Sequence, residues 1–384
     1  MTNSIVKSDW VSNFNIVGEA IVNDYTFGID KRSEKSSWVY NSMGLLVNCG
    51  EEFGNIRVDL MGGYGEDREN VIYAHAKGDD GNDDFSQQIV VDWDDRFDEE
   101  VLETVGDLCF ITVGLEKTDK NKNYYKKFLS AYDAIAYIQE HLESGMVVRV
   151  RGQLKYSTYN DNVQVQKNVT SIVLSNVESP SDYSANFTQT VLLDKDSASL
   201  KNIDKDKGVM YVDARVLDYV KEYNGVEVKG QFPYNKQFEF PMDFSNQAQC
   251  KKIMDKVFKV KKDVTQITFD GIFIEGGATI QATMDDVPDD IKELIELGIY
   301  TEEEALAKCS ANGSRERRMV LQKPTVRLVG EDKTPVLQKF EERYSEDDLI
   351  LDCMMAGDGD DLPSEESDNK SSGSDDDMSW LDEL

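Results

Sequence analysis

Residues 147–159, VVRVRGQLKYSTY, alternate between apolar and polar side chains. The even positions from Val148 to Tyr156 are apolar or glycine, whereas the odd positions from Arg149 to Ser157 are polar and include three cations. Because successive side chains of a strand point to opposite faces, the pattern predicts a strand with one face in a core and a basic face outward. A turn at 160–162 and apolar residues within 163–174 predict that the chain returns as a second, paired strand.

A similar order of elements is predicted twice along the chain. In the first copy, period-two runs and one amphipathic stripe predict strands at 14–22, 38–47 and 55–61 and a helix at 130–142. In the second copy they predict strands at 209–217, 226–229, 236–244, 267–273 and 319–329 and a helix at 246–258. Many short strands with few helices are typical of small barrels, so the fold class is mainly β, with two small barrels and inserted helices. The predicted division is an N-terminal domain at 1–180, a linker at 181–204, a second domain at 205–345 and a disordered acidic tail at 346–384.

Two short helices are predicted inside the second barrel, at 288–297 and 301–311. Two helices joined by a glycine turn also match the layout of a helix-turn-helix motif. The second helix begins with Glu302, Glu303 and Glu304, which the major groove would repel, so an inserted helical hairpin is favoured.

Charge is strongly segregated along the chain. It has 42 Lys and Arg against 74 Asp and Glu, a net charge of −32, which excludes a protein that coats anionic surfaces by net charge alone. Residues 346–384 carry 15 acids and one base, and residues 79–107 carry 12 acids and one base. Bases cluster instead at 117–127, 149–159, 251–262 and 315–327. Such a body can hold a basic groove while it stays acidic overall.

Several classes of protein lack support in the sequence. No apolar run is long enough for a membrane span, and the first ten residues lack the apolar segment of a secretory signal. Five widely spaced cysteines fit free thiols in a reducing cytoplasm. Because His75 and His141 are the only histidines and no CxxC pair exists, neither a Cys/His zinc site nor a histidine-based triad is expected. No Walker-type loop is present, and no cofactor is predicted.

Lysine and tyrosine are interleaved in residues 117–127, KTDKNKNYYKK. Lysine neutralises phosphate at any sequence and a tyrosine ring stacks on an unpaired base, so the combination favours single-stranded nucleic acid. A solvated lysine loop with inward tyrosines is the structural alternative, as a core position is for Trp38. Together with the basic strand and the aromatic residues near it, the candidate DNA-binding residues are Trp38, Tyr40, Lys117, Lys120, Lys122, Tyr124, Tyr125, Lys126, Lys127, Arg149, Arg151, Lys155 and Tyr159.

A run of carboxylates between Asp92 and Glu100 is the second candidate site. Metal nucleases gather carboxylates for two-metal chemistry, but they draw these ligands from separate elements. The acids here are nearly contiguous, so a solvated acidic loop is favoured and no metal site is predicted.

The amino-acid composition of the predicted tail changes at its end. Residues 357–377 are rich in Asp, Ser and Gly and cannot bury enough apolar surface to offset the entropy of ordering. A Trp and two Leu beyond them favour a docking motif for a partner protein, although a merely solvated acidic tail is the commoner case. The candidate docking residues are Asp375, Asp376, Asp377, Trp380, Leu381 and Leu384.

The segment 147–156 and the tail together resemble the OB-fold single-stranded-DNA-binding proteins. In that family a Gly-Gln-Leu turn within a strand precedes a basic and aromatic stretch, as Gly152, Gln153 and Leu154 do here, and an acidic tail ends in an aromatic tip. The layout is most similar to the larger members encoded by tailed bacteriophages. The resemblance implies OB-like barrels, no catalysis, protection of single-stranded DNA during replication, recombination or repair, and a tail that recruits replication and repair proteins. This chain departs from the family by ending in Leu384 rather than in Pro-Phe.

Two alternative functions are considered besides single-stranded-DNA binding. The acidic body favours a protein-interaction factor, such as a DNA mimic or replication adaptor that binds no DNA, and a metal nuclease is third. A cytoplasmic protein is expected, in the host cell if a phage encodes it, and a homo-oligomer is left open.

Overall fold

The structure, a computed structural model, describes residues 9–159, 162–223, 226–276, 316–330 and 332–351, and the single positions Lys292, Ile295 and Thr301. The predicted helical hairpin at 288–311, apart from those three positions, and the predicted docking tip lie outside the described residues. The described part of the chain is mainly β, as the sequence predicts.

The first half of the chain builds one barrel and an insertion. Its helices are α1 (Glu99–Thr104) and α2 (Ala131–His141). Its strands are β1 (Ser12–Ile21), β2 (Phe27–Arg32), β3 (Trp38–Asn48), β4 (Asn55–Gly65), β5 (Val71–Lys77), β6 (Asp83–Asp92), β7 (Ile111–Lys117), β8 (Asn123–Phe128), β9 (Val147–Tyr159) and β10 (Asn162–Leu174).

Five of these strands close on themselves. β1 pairs antiparallel with β3 and β9, β3 with β4, and β9 with β10. The ring closes where β10 runs parallel to β4, with Asn168 opposite Asp59. α2 lies between β4 and β9 in the chain; the Ser130 hydroxyl caps it, and Ile135 and Ile138 join the core. A five-stranded Greek-key barrel of this kind is an OB-fold.

The second half repeats this arrangement. Its helix is α3 (Gln247–Ile253), which continues as a π-helical turn over Met254–Phe258. Its strands are β11 (Ser184–Leu193), β12 (Ala198–Asp204), β13 (Val209–Tyr223), β14 (Val226–Pro241), β15 (Thr265–Gly276), β16 (Glu316–Pro324), β17 (Val326–Val329), β18 (Thr334–Leu337) and β19 (Lys339–Phe340). β11 pairs with β13 and β15, β13 with β14, and β15 with β16. β16 runs parallel to β14 where Glu239 faces Val320, which closes the second barrel as the first is closed.

An aromatic–glycine pair occupies the same place in both barrels. Phe14 in β1 lies opposite Gly152 in β9, and Phe187 in β11 lies opposite Gly271 in β15. A Cβ atom on Gly152 would lie 2.7 Å from the Phe14 ring and 1.9 Å from the Asn168 carbonyl oxygen. On Gly271 it would lie 2.3 Å from the Phe187 ring. Each glycine therefore makes room for a buried ring, and a bulge interrupts the pairing with the next strand beside each of them.

The two barrels are joined strand to strand through β1 and β11. These strands pair antiparallel with Phe14 opposite Phe187, so equivalent residues of the two barrels meet and a local two-fold axis passes between them. The largest apolar core contains buried residues from both barrels, among them Phe14 of the first and Phe187 of the second.

The predicted linker at 181–204 is wrong. Its residues form β11, which is largely buried between β1 and β15, and β12, which pairs with β13. The serines and charges that indicated a linker lie largely in the short helix at 180–182 and in the turn at 194–197. Other differences concern extent: the predicted strands 226–229 and 236–244 are one strand, β14, and β16 ends at Pro324.

The acidic region 64–110 forms an insertion on the first barrel. β5 and β6 make a hairpin that covers a small separate core of Ala74, Val91, Val105, Phe110 and Leu129. Within the acidic run, the Asp98 carboxylate accepts hydrogen bonds from the Glu100 and Val101 amides and so caps α1. Across the described residues, each helix is too short or too polar to cross a bilayer.

The close contacts of Gly152 with Phe14 and Asn168 predict that this position tolerates no side chain. We expect Gly152→Ala to lower the free energy of unfolding by about 1–3 kcal/mol, because the added methyl must displace the Asn168 backbone or the Phe14 ring. The matched control is Gly230→Ala in β14, where the nearest heavy atom to a new Cβ would lie at 3.5 Å. Urea denaturation of both variants is the measurement, and equal midpoints would contradict the steric role of Gly152.

Candidate nucleic-acid interface

A groove beside β9 brings two of the predicted regions together. Tyr125 of β8 and Arg149 and Arg151 of β9 line one depression of about 590 Å³, here called the hairpin groove. The Tyr125 side chain is 58% exposed, and its ring lies against Gly114, where a Cβ atom would be 2.9 Å from it. The other lining residues are Thr112, Asn123, Ser171, Val173, Leu174, Ser175, Asn176 and Val177. The groove thus offers an aromatic face beside two guanidinium groups.

The predicted lysine loop is the β7–β8 hairpin, and its strands divide the predicted residues between two faces. Because Tyr124 and Tyr125 are consecutive in β8, they point to opposite faces. Lys126 lies two residues after Tyr124 and therefore on the same face, and its ammonium lies 4.6 Å from the centroid of the Tyr137 ring. Of the two tyrosines, only Tyr125 therefore faces the hairpin groove.

Lys127 forms an ion pair with a carboxylate of the insertion. Its Nζ lies 2.9 Å from Asp107 Oδ1, and this contact is the main reason that the pKa of Asp107 lies below its ordinary value. Lys117, Lys120 and Lys122 are exposed around the hairpin tip, where Asn121 takes a positive φ of 57°. These three lysines extend the positive surface beyond the groove.

Lys155 and Tyr159 lie farther along β9, toward the second barrel. Lys155 Nζ is 3.4 Å from Asp218 Oδ1 of β13, and the other oxygen of this carboxylate accepts the Tyr156 amide at 2.7 Å. The charge of Lys155 is therefore partly compensated within the protein. The Tyr159 side chain is 47% exposed at the end of β9.

Trp38 and Tyr40 form a stack on the outer face of β3. Their ring centroids are 4.6 Å apart with an interplanar angle of 17°, and both residues are half-buried. Val39 between them points into the core. Across the strand pair they face Gly65 and Gly63 of β4, which present no side chain to the rings. The core alternative for Trp38 is wrong, but the stack does not line the hairpin groove.

A second cleft, which the sequence did not predict as a site, opens between the barrels. It measures about 630 Å³ and is called here the inter-barrel cleft. The first barrel contributes the outer face of β4 and the β9–β10 hairpin, and the second contributes β14, β15 and β16. The lining side chains that carry charge or a ring are Arg57, Asp59, Tyr159, Lys167, Lys236, Phe273, Glu275, Arg317 and Arg318.

Some cations of the inter-barrel cleft are held in ion pairs. Lys167 of β10 and Glu275 of β15 form a buried pair across the barrels, and the Lys167 ammonium lies 4.7 Å from the centroid of the Phe273 ring. Arg57 Nε is 2.9 Å from Asp59 Oδ1. Arg318 binds the Glu239 carboxylate through two nitrogens, at 2.8 and 2.5 Å. These pairs fix the walls of the cleft.

Lys236 differs from these cations. Among the described residues it has neither a hydrogen-bond nor an ion-pair partner, and burial, followed by the nearby charge of Lys167, lowers its pKa. A bound anion would offset both effects, since it would replace lost solvation and screen the two lysines from each other. Arg317, exposed at the same cleft, also has no partner among the described residues. The arrangement of Lys236 and Arg317 is suited to an anion such as a phosphate.

A comparison with known protein families identifies the chain. The model of one family, described as YorF, matches residues 75–270, just over half of the sequence. The chain belongs to the YorF family. The matched segment runs from β5 into β15 and so contains Tyr125, Arg149 and Arg151 of the hairpin groove.

Comparisons with individual proteins found no curated match and two solved structures of low sequence identity. Among solved structures, the single-stranded DNA binding protein from Thermus aquaticus is similar, with 9% sequence identity, a TM-score of 0.29, and coverage of 70% of this chain and 87% of that chain. A deletion mutant of the same protein has 9% identity, a TM-score of 0.31, and coverage of 70% and 89%.

The residues that sequence reasoning missed share one property. Arg57, Lys167 and Lys236 are single cations on three different strands, and none lies within a predicted basic cluster. Arg317 and Arg318 do fall within the predicted cluster at 315–327, but no pattern in the sequence connects them with the other three. The pairing of β14 with β16 and the contact between the barrels bring them together.

Proposed function

We propose that this protein binds single-stranded DNA without sequence preference. The observation that carries the proposal is the hairpin groove, where the exposed ring of Tyr125 lies with Arg149 and Arg151 on the outside of an OB barrel. An unpaired base stacks on the ring, and the two guanidinium groups contact the adjacent phosphates. Neither contact reads the edge of a base, so the binding is sequence-tolerant.

The inter-barrel cleft provides a second contact for the same strand. Lys236 and Arg317 supply the charge for a phosphate, and Tyr159 supplies a half-exposed ring at the cleft. Because a duplex holds its bases in a stack, it can offer phosphates to these sites but no free base to Tyr125 or Tyr159. A single strand is therefore favoured over a duplex of equal length.

The proposed role is protection of single-stranded DNA during replication, recombination or repair, as in the phage proteins that the sequence resembles. The acidic tail, with the tip Trp380, Leu381 and Leu384, recruits replication and repair proteins. Its carboxylates also compete with DNA for the basic grooves, because a tethered polyanion has a high effective concentration near them.

One titration tests the proposal against its main rival. Fluorescent single-stranded and duplex DNA of equal length are titrated with the full chain at two salt concentrations. We expect tighter binding of the single strand and weaker binding at higher salt. Failure to bind either DNA would overturn the proposal and support an acidic adaptor that binds only proteins. Cleavage of the DNA on addition of Mg²⁺ or Mn²⁺ would support the nuclease instead.

The two faces of β8 provide a matched pair of variants. We expect Tyr125→Ala to weaken single-strand binding by about 1–3 kcal/mol, the value of one base stacked on an aromatic ring. Tyr124→Ala removes a ring of similar exposure, 50% against 58%, from the other face and should leave the affinity unchanged. Fluorescence anisotropy with one oligonucleotide gives both values. Equal effects of the two changes would exclude the hairpin groove as the stacking site.

The cations of β9 differ in their ion pairing, and this predicts different salt dependence. Arg149→Gln and Arg151→Gln should each reduce the slope of log K against log salt by roughly 0.7, the single-strand value for one lost phosphate contact. Lys155→Gln should reduce it less, because Asp218 already holds that ammonium. Loss of affinity with an unchanged slope in the arginine variants would mean that they act through folding.

The tail provides a test of competition and of docking. A chain truncated after residue 356 should bind DNA more tightly at low salt, and the gain should shrink as salt screens the carboxylates. In a pull-down from host lysate, the intact chain should recover replication or repair proteins more strongly with single-stranded DNA present. Trp380→Ala with Leu381→Ala should recover few of them while binding DNA normally. Equal recovery by this variant would exclude the docking role, and unchanged low-salt affinity of the truncated chain would exclude the competition.

A further inference from the structure

The hairpin of β17 and β18 presents one of its two faces to solvent. Val326 lies opposite Leu337, and Leu328 lies opposite Pro335, so these four side chains share one face, called here the β17–β18 face. The exposed fractions are 60% for Val326, 63% for Leu328 and 39% for Leu337, and Pro335 is also exposed. Within the described part of the chain, the β17–β18 face is therefore wholly apolar and uncovered.

The other face of this hairpin is turned toward the second barrel. Arg327, which alternates with Val326 and Leu328, places its guanidinium 4.6 Å from the centroid of the Phe340 ring in β19. β19 in turn pairs with β15 of the barrel. An antiparallel pair ordinarily packs its apolar side on the core and leaves its polar side in water. The arrangement here is reversed, and exposed apolar patches of this kind mark interaction sites.

A lysine-rich segment, 251–262, lies next to the hairpin. Lys339, two residues after Leu337, donates from Nζ to the carbonyl oxygens of Lys259 at 3.0 Å and Lys256 at 3.4 Å. Two lysines of the segment pair with glutamates that follow β19. The other four are exposed and pair with no carboxylate of the described residues; this lysine surface consists of Lys251, Lys252, Lys256 and Lys259.

A segment that covers both surfaces must be apolar and acidic at once. Residues 375–384, DDDMSWLDEL, carry five acids and no base around one Trp and two Leu. The segments 251–262 and 323–343 together carry 11 bases and 5 acids. The opposite charges attract the tip to the lysine surface, and burial of its apolar side chains holds it on the β17–β18 face.

The length of the intervening chain allows this contact. Leu351, the last described residue, packs against the small apolar core that contains Val264, two residues beyond the lysine-rich segment. From Leu351, 28 residues lead to Trp380. A Gly- and Ser-containing chain of that length has an r.m.s. reach of about 30 Å. The tethered tip then meets the second barrel at an effective concentration on the order of 1 mM, so that even weak docking keeps it bound.

Two other occupants fit these surfaces less well. A second copy of the chain would bring the same positive charge, and four side chains fall far short of the roughly 800 Å² per partner that a specific interface buries. DNA would suit the lysine surface, but an aliphatic side chain such as Leu328 offers a base no ring on which to stack.

We propose that the β17–β18 face and the lysine surface together form a docking site for residues 375–384 of the same chain. The Trp and the two Leu of this tip cover Leu328 and its neighbours, and the carboxylates lie on the lysines. The inference rests on the proposed role of the tip as a docking motif, and it adds where the tip is held when no partner is present. Recruitment is then restrained, since a partner must take the tip from this site.

Hydrogen exchange of the full-length protein, followed by mass spectrometry of its peptides, measures the docking. The variant carries Trp380→Ala, Leu381→Ala and Leu384→Ala, which leave the charge of the tip unchanged. We expect the amides of 326–337 to exchange on the order of tenfold faster in the variant, as they do if the tip covers them nine-tenths of the time in the wild type.

The β5–β6 hairpin is the internal control for this experiment. It also exposes apolar side chains, Tyr73 and Val90, but it lies within the acidic insertion, which repels the tip. Its exchange should be the same in both proteins. Equal exchange of 326–337 in the wild type and the variant overturns the proposal. Protection that persists in the variant and rises with protein concentration assigns the face to a second copy and also overturns it.

A fluorescent peptide with the sequence of residues 375–384 tests the β17–β18 face directly. It is titrated with the full-length triple variant, whose own tip no longer competes, and binding is followed by anisotropy. We expect a dissociation constant of about 0.1 mM, at which a tip tethered at 1 mM is nine-tenths bound, and weaker binding at higher salt. Adding Leu328→Ser should weaken binding about tenfold, whereas Val329→Ser, on the other face of the hairpin, should not.

The outcomes separate this site from the proposed function of the tip. Absence of peptide binding, or equal effects of the two serine changes, overturns the docking site. If exchange and peptide binding both fail while the intact tip still recovers partners in the pull-down, the recruiting role stands and only its resting place on the second barrel is wrong.

Discussion

The backbone ladder between β1 and β11 is the constraint on which the other features of this protein depend. It places Phe14 against Phe187 at the point where each ring also needs a glycine on its other side, Gly152 in one barrel and Gly271 in the other. Each barrel therefore closes around a ring whose backbone position pairs with that of its counterpart. A shift of one residue in this ladder would turn the buried faces of both strands outward, so the register is strongly specified.

The ladder also determines which surfaces of the barrels meet. It allows Lys155 of β9 to reach Asp218, and Lys167 of β10 to reach Glu275. A buried ion pair of the second kind is stable only while both partners are present, because either charge alone would be buried without compensation. The same contact leaves Lys236 half-buried beside Lys167, in a cleft that neither barrel could form alone.

The insertion is held together by local contacts, unlike the barrels. Its small core around Val91 and Phe110 is separate from the main one, and its contacts are local: a hairpin, a tight turn at Gly106 and a hydrogen bond between His75 and Asp83. The Asp107 carboxylate of the insertion pairs with Lys127 of β8, the strand that also carries Tyr125.

The sequence by itself determined the elements whose signal is periodic. Alternation in 147–159 gave the strand and its basic outer face, and the same pattern at 267–273 gave the repeat. The alternation of apolar and polar residues does not show which strands pair or which side chains meet. It could not tell that Tyr124 and Tyr125 serve opposite faces of one hairpin, because the residues 117–127 suggested a loop rather than a strand.

Tertiary structure decided the rest, since pairing depends on residues far apart in the chain. The segment 184–193 lies within the predicted linker, yet it forms a buried strand whose polar residues Gln189 and Thr190 bond to distant partners, Tyr156 and Thr268. His75 and Cys109 are 34 residues apart in the chain, yet their side chains lie 3.2 Å apart because β5 and the turn before β7 are adjacent. Composition limits how many such sites a chain can hold, and only the fold decides which side chains come within reach of each other.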